Sequence, residues 1–80
     1  MQVQIQAFGI AKDIIHGSSI TLTFPGPVTV KQVKDQLTQQ FPDFAALASL
    51  KVAVNADYAE DTHLLAENDE VVLIPPVSGG

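Results

Sequence analysis

The sequence predicts an α+β two-layer domain, in which one main helix packs across a mixed β-sheet. Three observations predict it. Residues 2–7, Gln-Val-Gln-Ile-Gln-Ala, alternate polar and apolar side chains, the pattern of a half-buried strand. Val30, Val33, Leu37 and Phe41 recur at helical spacing and form a single apolar stripe. Glu70 to Ile74 form a last apolar strand behind an Asn68-Asp69 turn, where Asn tolerates the left-handed conformation.

Taken in order, the first strand directs Val3, Ile5 and Ala7 toward a core and leaves Phe8 on the opposite, glutamine-lined face. Residues 10–15 read as a short helical turn closed by Gly17. Ser19 to Phe24 alternate again, with Ile20, Leu22 and Phe24 inward. Pro25-Gly26-Pro27 ends that strand, since proline has no N–H to give to a ladder. Thr29 is placed to cap the main helix through its hydroxyl, and Pro42 stops that helix. Asp43 is a candidate cap for a second short helix through Leu47. Lys51 to Asn55 read as a third strand and Asp57-Tyr58-Ala59 as a short fourth. A single domain over residues 1–75 is expected, followed by a flexible tail over 76–80.

Composition narrows the functions open to the chain. In 80 residues there are nine Asp and Glu against four Lys and no Arg, a net charge of −5. Nucleic-acid binding depends on cationic neutralisation of phosphates, so neither nucleic acid nor an anionic membrane surface is an expected partner; a basic protein surface fits better. The absence of cysteine removes disulfides, thiolate metal sites and a cysteine nucleophile. No apolar run reaches the roughly 18–20 residues that span a bilayer, and Met1-Gln2-Val3-Gln4 lacks the features of a signal peptide. A cytoplasmic protein is the expectation.

No constellation of a free-standing active site is present. His16 and His63 lack a third ligand in any recognisable motif and read as turn or surface residues, so no metal site is expected. Asp57, Glu60 and Asp61 read as a solvated loop, with nothing apolar nearby to raise a carboxyl pKa. Ser18-Ser19 has no nucleophile-elbow context, and there is no phosphate-binding glycine loop. The distinctive feature is the tail Pro75-Pro76-Val77-Ser78-Gly79-Gly80. Glycines let a terminal carboxylate thread a narrow channel, and the two prolines stiffen the exit so that the tail projects.

With the preceding Asp69-Glu70-Val71-Val72-Leu73-Ile74, this tail resembles that of the molybdopterin synthase small-subunit family, sulfur carriers of the ubiquitin-like β-grasp kind. Val54-Asn55 and the opening strand through Phe8 also match, and the resemblance spans the chain. It departs at Lys12-Asp13, where family members often have Arg-Glu and where lysine lacks bidentate geometry. It departs mildly at Asn68-Asp69, where Gly-Asp is common.

The resemblance implies a β-grasp fold with the first and last strands as central neighbours. It implies a carrier, without an active site of its own, that functions in molybdenum cofactor biosynthesis within a heterotetrameric synthase. The Gly80 carboxylate would be adenylylated by an adenylyltransferase related to ubiquitin-activating enzymes, which consumes ATP; the carrier itself binds no cofactor. A sulfur donor protein would then convert Gly80 to a thiocarboxylate. That group would enter the large subunit and give its sulfur to cyclic pyranopterin monophosphate. Gly79, Ser78 and Val77 would thread the pocket, and Phe8, Ile74, Pro75 and Pro76 would form the partner interface. The alternatives are a carrier for thiamine thiazole synthesis, a carrier for another sulfur-transfer pathway, and a ubiquitin-like protein modifier.

Overall fold

The computed structural model describes residues 1–47 and 50–74. The elements follow in the order β1 (Gln2–Ala7), α1 (Gly9–Ile15), β2 (Ser19–Thr23), α2 (Val30–Gln40), a 3-10 turn (Pro42–Ala46), β3 (Lys51–Val54), β4 (Asp57–Ala59) and β5 (Val71–Ile74). The five strands form one mixed sheet in the order β2-β1-β5-β3-β4.

β1 and β5 lie side by side and parallel, with Ile5 opposite Val71 and Ala7 opposite Leu73. The other pairings are antiparallel: β1 with β2, β3 with β5, and β3 with β4. Because directly opposed residues share a face, these registers sort the side chains. One face carries Val3, Ile5, Ala7, Leu22, Val52, Val54, Val71 and Leu73, all buried. Val30, Val33 and Leu37 of α2 are fully buried and belong to the same cluster, as does Phe44. Sheet and helix therefore seal one core, and among the described residues no polar or charged side chain is buried. This is the β-grasp arrangement.

Local chemistry explains the boundaries. Thr29 caps α2 in a reciprocal box: its Oγ1 accepts from the Gln32 N–H at 3.3 Å, and its own N–H donates to Gln32 Oε1 at 2.8 Å. The next two free N–H groups, on Val30 and Lys31, donate to the carbonyls of His63 and Asp61, both at 3.0 Å. Helix start and the loop before β5 thus satisfy each other's backbone. The β3–β4 hairpin turns on Asn55 and Ala56, both at positive φ (52° and 74°), the requirement of a type I′ turn.

Several expectations need correction. α1 ends on His16 at φ 60°, not on Gly17; the Gly17 N–H instead donates back to the Lys12 carbonyl at 3.2 Å. Asp43 is no cap, since Phe41 holds that position and Asp43 lies inside the 3-10 turn. Ile20, Phe24 and Phe41 are only half-buried, because they lie at the rim of the core rather than beneath α2. Phe41 stacks edge-on against Phe44, with ring centroids 6.2 Å apart.

Leu37 sits at the centre of the layer interface with none of its surface exposed. Leu37→Ala is expected to cost about 2–5 kcal/mol, lowering the midpoint of denaturant unfolding without changing its slope. Thr29→Ala should cost only about 0.5–2 kcal/mol.

Candidate functional site

The second face of the sheet carries the candidate partner residues Phe8 and Ile74, and its composition changes along the strands. Gln2, Gln4 and Gln6 of β1 line its polar end. Toward the end of β5 the face becomes apolar: Gln6 is opposite Val72, Val72 opposite Ala53, and Ala53 opposite Tyr58. Ala53 is buried yet absent from the main core cluster, so its neighbours on this outer face are what cover it.

The β1–β5 register, carried one residue further, brings Phe8 level with Ile74. Phe8 keeps an extended backbone (φ −130°, ψ 160°) and is the N-cap of α1. Gly9 follows at φ 57°, a conformation that glycine adopts without strain. The chain therefore turns away at once, and Phe8 stays 56% exposed. Ile74 and Val72 are half-buried, so at this end of the outer face Phe8 projects beside two partly covered aliphatics, while Tyr58 projects from the β4 edge of the same face. Opposite Ile74 stands Lys51, an exposed cation at the point where β5 ends. Pro75, Pro76, Val77, Ser78, Gly79 and Gly80 lie outside the described residues.

The start of β5 is held by a polar clasp. Asn55 Nδ2 donates to Asp69 Oδ1 and the Glu70 N–H donates to Asn55 Oδ1, both at 2.9 Å. The other Asp69 oxygen accepts from the Ala66 N–H at 2.8 Å. Asn68 precedes them at φ 68°, as expected for the turn. The Ala66 N–H, and after it the Asn55 amide, hold the Asp69 carboxyl below its ordinary range. Sequence reasoning matched Asn55 to the family without assigning it a task. It also placed Asn55 at the end of the third strand, whereas β3 ends at Val54 and Asn55 begins the turn.

The other candidates do not assemble into a site. Asp61 pairs with Lys34 at 2.8 Å, and that hydrogen bond and charge hold its carboxyl low, the reverse of what a general acid needs. Near it an open groove of about 840 Å³ runs past Lys34, Leu50, Lys51, Tyr58, Glu60 and Thr62, on the side of the sheet away from β2. Among the described residues no group of three or more His, Asp or Glu is placed to hold a metal ion, and no helix is long and apolar enough to cross a membrane.

Comparison with known proteins shows the family. The sequence profile of the ThiS family matches residues 5–80. The chain belongs to the ThiS family. A curated relative, the molybdopterin synthase sulfur carrier subunit of Arabidopsis thaliana, is 30% identical over 81 residues, covering all of this chain and 84% of that protein. Among solved structures, SAMP1 from Haloferax volcanii superposes with a TM-score of 0.84 at 22% identity, over the full length of both chains. One chain of the complex of subunits 1 and 2 of the molybdopterin-converting factor from Helicobacter pylori aligns at a TM-score of 0.69 and 22% identity, over all of that chain and all of this one. The resemblance read from the sequence is thereby borne out, and so is the β-grasp fold of this ThiS-family chain.

The depressed carboxyl of Asp69 gives a pH dependence with a defined sign. A folded-state pKa below the unfolded value contributes stability above the unfolded value, about 3.9 for Asp, and that contribution is lost as pH falls through the folded value. Asp69→Asn should therefore flatten the acid limb of thermal stability below about pH 4 and leave its shape above pH 6 unchanged. Asn55→Ala, which breaks both sides of the clasp, should cost about 1 kcal/mol at neutral pH.

Proposed function

We propose that this chain is the sulfur-carrying subunit of a molybdopterin synthase, and that sulfur travels on the carboxyl carbon of Gly80. The observation that carries the reading is Phe8, a large aromatic left exposed level with Ile74, where β5 hands the chain on toward the diglycine. A closed core elsewhere gives the domain little chemistry of its own, so an anchor beside a reactive terminus is the arrangement a carrier requires. The family match through residue 80 and the name of the Arabidopsis relative support the same reading.

In the proposed cycle the Gly80 carboxylate attacks the α-phosphorus of ATP on a ubiquitin-activating-like adenylyltransferase, and pyrophosphate leaves. The carboxylate alone is a poor electrophile, whereas the acyl-adenylate carries a good leaving group. Hydrosulfide, supplied through a donor protein, adds to the acyl carbon. A C–S bond forms, the C–O bond to AMP breaks, and Gly80 becomes a thiocarboxylate. Within the large subunit that sulfur forms a C–S bond to a side-chain carbon of the cyclic pyranopterin monophosphate, and the C–O bond at that carbon breaks, its oxygen leaving on phosphate or as water. Water then cleaves the acyl–sulfur bond, leaving sulfur on the pterin and a carboxylate on Gly80. Two such cycles supply the two sulfurs of the dithiolene.

Docking is proposed on the apolar end of the outer face, through Phe8, Ile74, Pro75 and Pro76, while Val77, Ser78 and Gly79 thread the partner's pocket. The chain's net charge of −5 would steer it toward a basic pocket that holds a phosphate-bearing substrate. Central aromatic anchors commonly dominate such interfaces.

Two outcomes test this. Phe8→Ala should weaken association with the large subunit by tenfold for each ~1.4 kcal/mol lost, as read by calorimetry. Its melting temperature should hardly move, because the ring is mostly exposed already. Deletion of Gly80 should abolish pterin sulfuration in a reconstituted synthase while sparing the fold. Unfolding of Phe8→Ala, or sulfuration by the truncated chain, would contradict the proposal.

A further inference from the structure

The free edge of β2 is unlike the rest of the surface. Among the described residues β2 is a terminal strand of the sheet, and the hydrogen bonds at its two ends fix which backbone groups it leaves unpaired there. Ala7 N–H donates to the Ser18 carbonyl at 2.9 Å, and Phe24 N–H donates to the Met1 carbonyl at 2.8 Å, with the Met1 amine returning a bond to the Phe24 carbonyl at 2.7 Å. In an antiparallel ladder such bonded positions alternate. With the β1–β2 register, Ser18, Ile20, Leu22 and Phe24 therefore point their backbone groups at β1. The N–H and C=O groups of Ser19, Thr21 and Thr23 point away from the sheet, and all three residues are exposed.

Natural edge strands are guarded by charge, proline, bulges or cover. This one has none of these within it, and from Ile14 to Val30 the sequence has no Asp, Glu, Lys or Arg. The strand also reads nearly the same in both directions. Reversing Ser-Ile-Thr-Leu-Thr sets Ser19 against Thr23, Ile20 against Leu22 and Thr21 against itself.

We infer that the β2 edge pairs antiparallel with the same edge of a second copy, about a two-fold axis through Thr21. In that register every outward N–H and C=O of Ser19, Thr21 and Thr23 meets a partner in phase. Hydroxyl side chains oppose hydroxyl side chains on the outer face, a favourable cross-strand pairing. The half-buried Ile20 gains cover from Leu22 of the second copy. Such a contact is isologous and closes as a dimer.

A second copy fits better than a charged peptide because the edge carries no charge that would select one. Two chains of net charge −5 repel elsewhere, so a neutral edge is where they can approach. Five residues bury far less than the roughly 1,200 Å² of a stable complex, so the dimer forms only at high concentration. β5 and Phe8 stay clear of it, since β1 stands between β2 and β5.

The test is sedimentation equilibrium and amide NMR of the full chain from about 10 µM to about 1 mM, the range in which so small an interface should associate. The expected result is an apparent mass rising toward twice that of one chain. Exchange broadening should be greatest at the amides of Ser19, Thr21 and Thr23, and association should tighten as salt screens the net repulsion. Thr21→Lys, which sets a charge against itself on the axis, should abolish the mass increase, and Thr23→Lys should do so independently; both lie on the solvent face and leave the β1 ladder intact. A chain that stays monomeric at about 1 mM would overturn the inference. So would association that survives both substitutions or weakens with salt, broadening confined to Phe8, Val72 and Ile74, or open-ended aggregation.

Discussion

The parallel pairing of β1 with β5 is the constraint on which the rest of the molecule depends. It joins residues near the two ends of the sequence at the centre of the sheet, with Ile5 against Val71 and Ala7 against Leu73, all four buried. Parallel neighbours cannot be linked by a tight turn and need a long crossover. Here the crossover contains everything else, and α2 lies on the core face it creates. In the sheet the last strand lies between β1 and β3. Its register is set twice, by β1 on one side and β3 on the other, and the Asn55–Asp69 clasp fixes where it begins.

That register decides what the outer face presents. A slip of one residue would exchange the faces of β5, burying Val72 and Ile74 while exposing Val71 and Leu73. With the observed register, Phe8 and Ile74 stand level where the sheet ends, and Gly9 turns the chain away, leaving Phe8 56% exposed. In the proposed function, an exposed aromatic at the end of the strand that leads to the diglycine would separate docking, by the sheet face, from chemistry, at a terminus with no side chains.

Much of this was legible in the sequence, for physical reasons that differ between elements. β1 and α2 were read correctly because alternation and the helical stripe are properties of the whole element, and Thr29 because its reciprocal partner lies within the same turn. The outward placement of Phe8 followed from strand phase alone. His16 was missed as the left-handed residue closing α1, since a neighbouring glycine normally takes that position. Asp43 was misread because the 3-10 turn starts directly from Phe41 and leaves no separate cap. Ile20 and Phe24 share the phase of Leu22 but not its burial. Phase gives the side of a sheet, whereas burial depends on what lies above it, and α2 covers the centre. The bonds from Asn55 to Asp69 and Glu70 join residues far apart in sequence, and no local pattern marks them.

The central claim is that the fold serves as a holder for a reactive C-terminal carboxyl. Its most direct test is tandem mass spectrometry of the chain after incubation with a ubiquitin-activating-like adenylyltransferase, ATP and sulfide. The account predicts that one sulfur replaces one oxygen and that fragmentation places it on Gly80. A chain that remains unmodified while the enzyme is active on a known carrier, or that takes up sulfur anywhere other than Gly80, would contradict it.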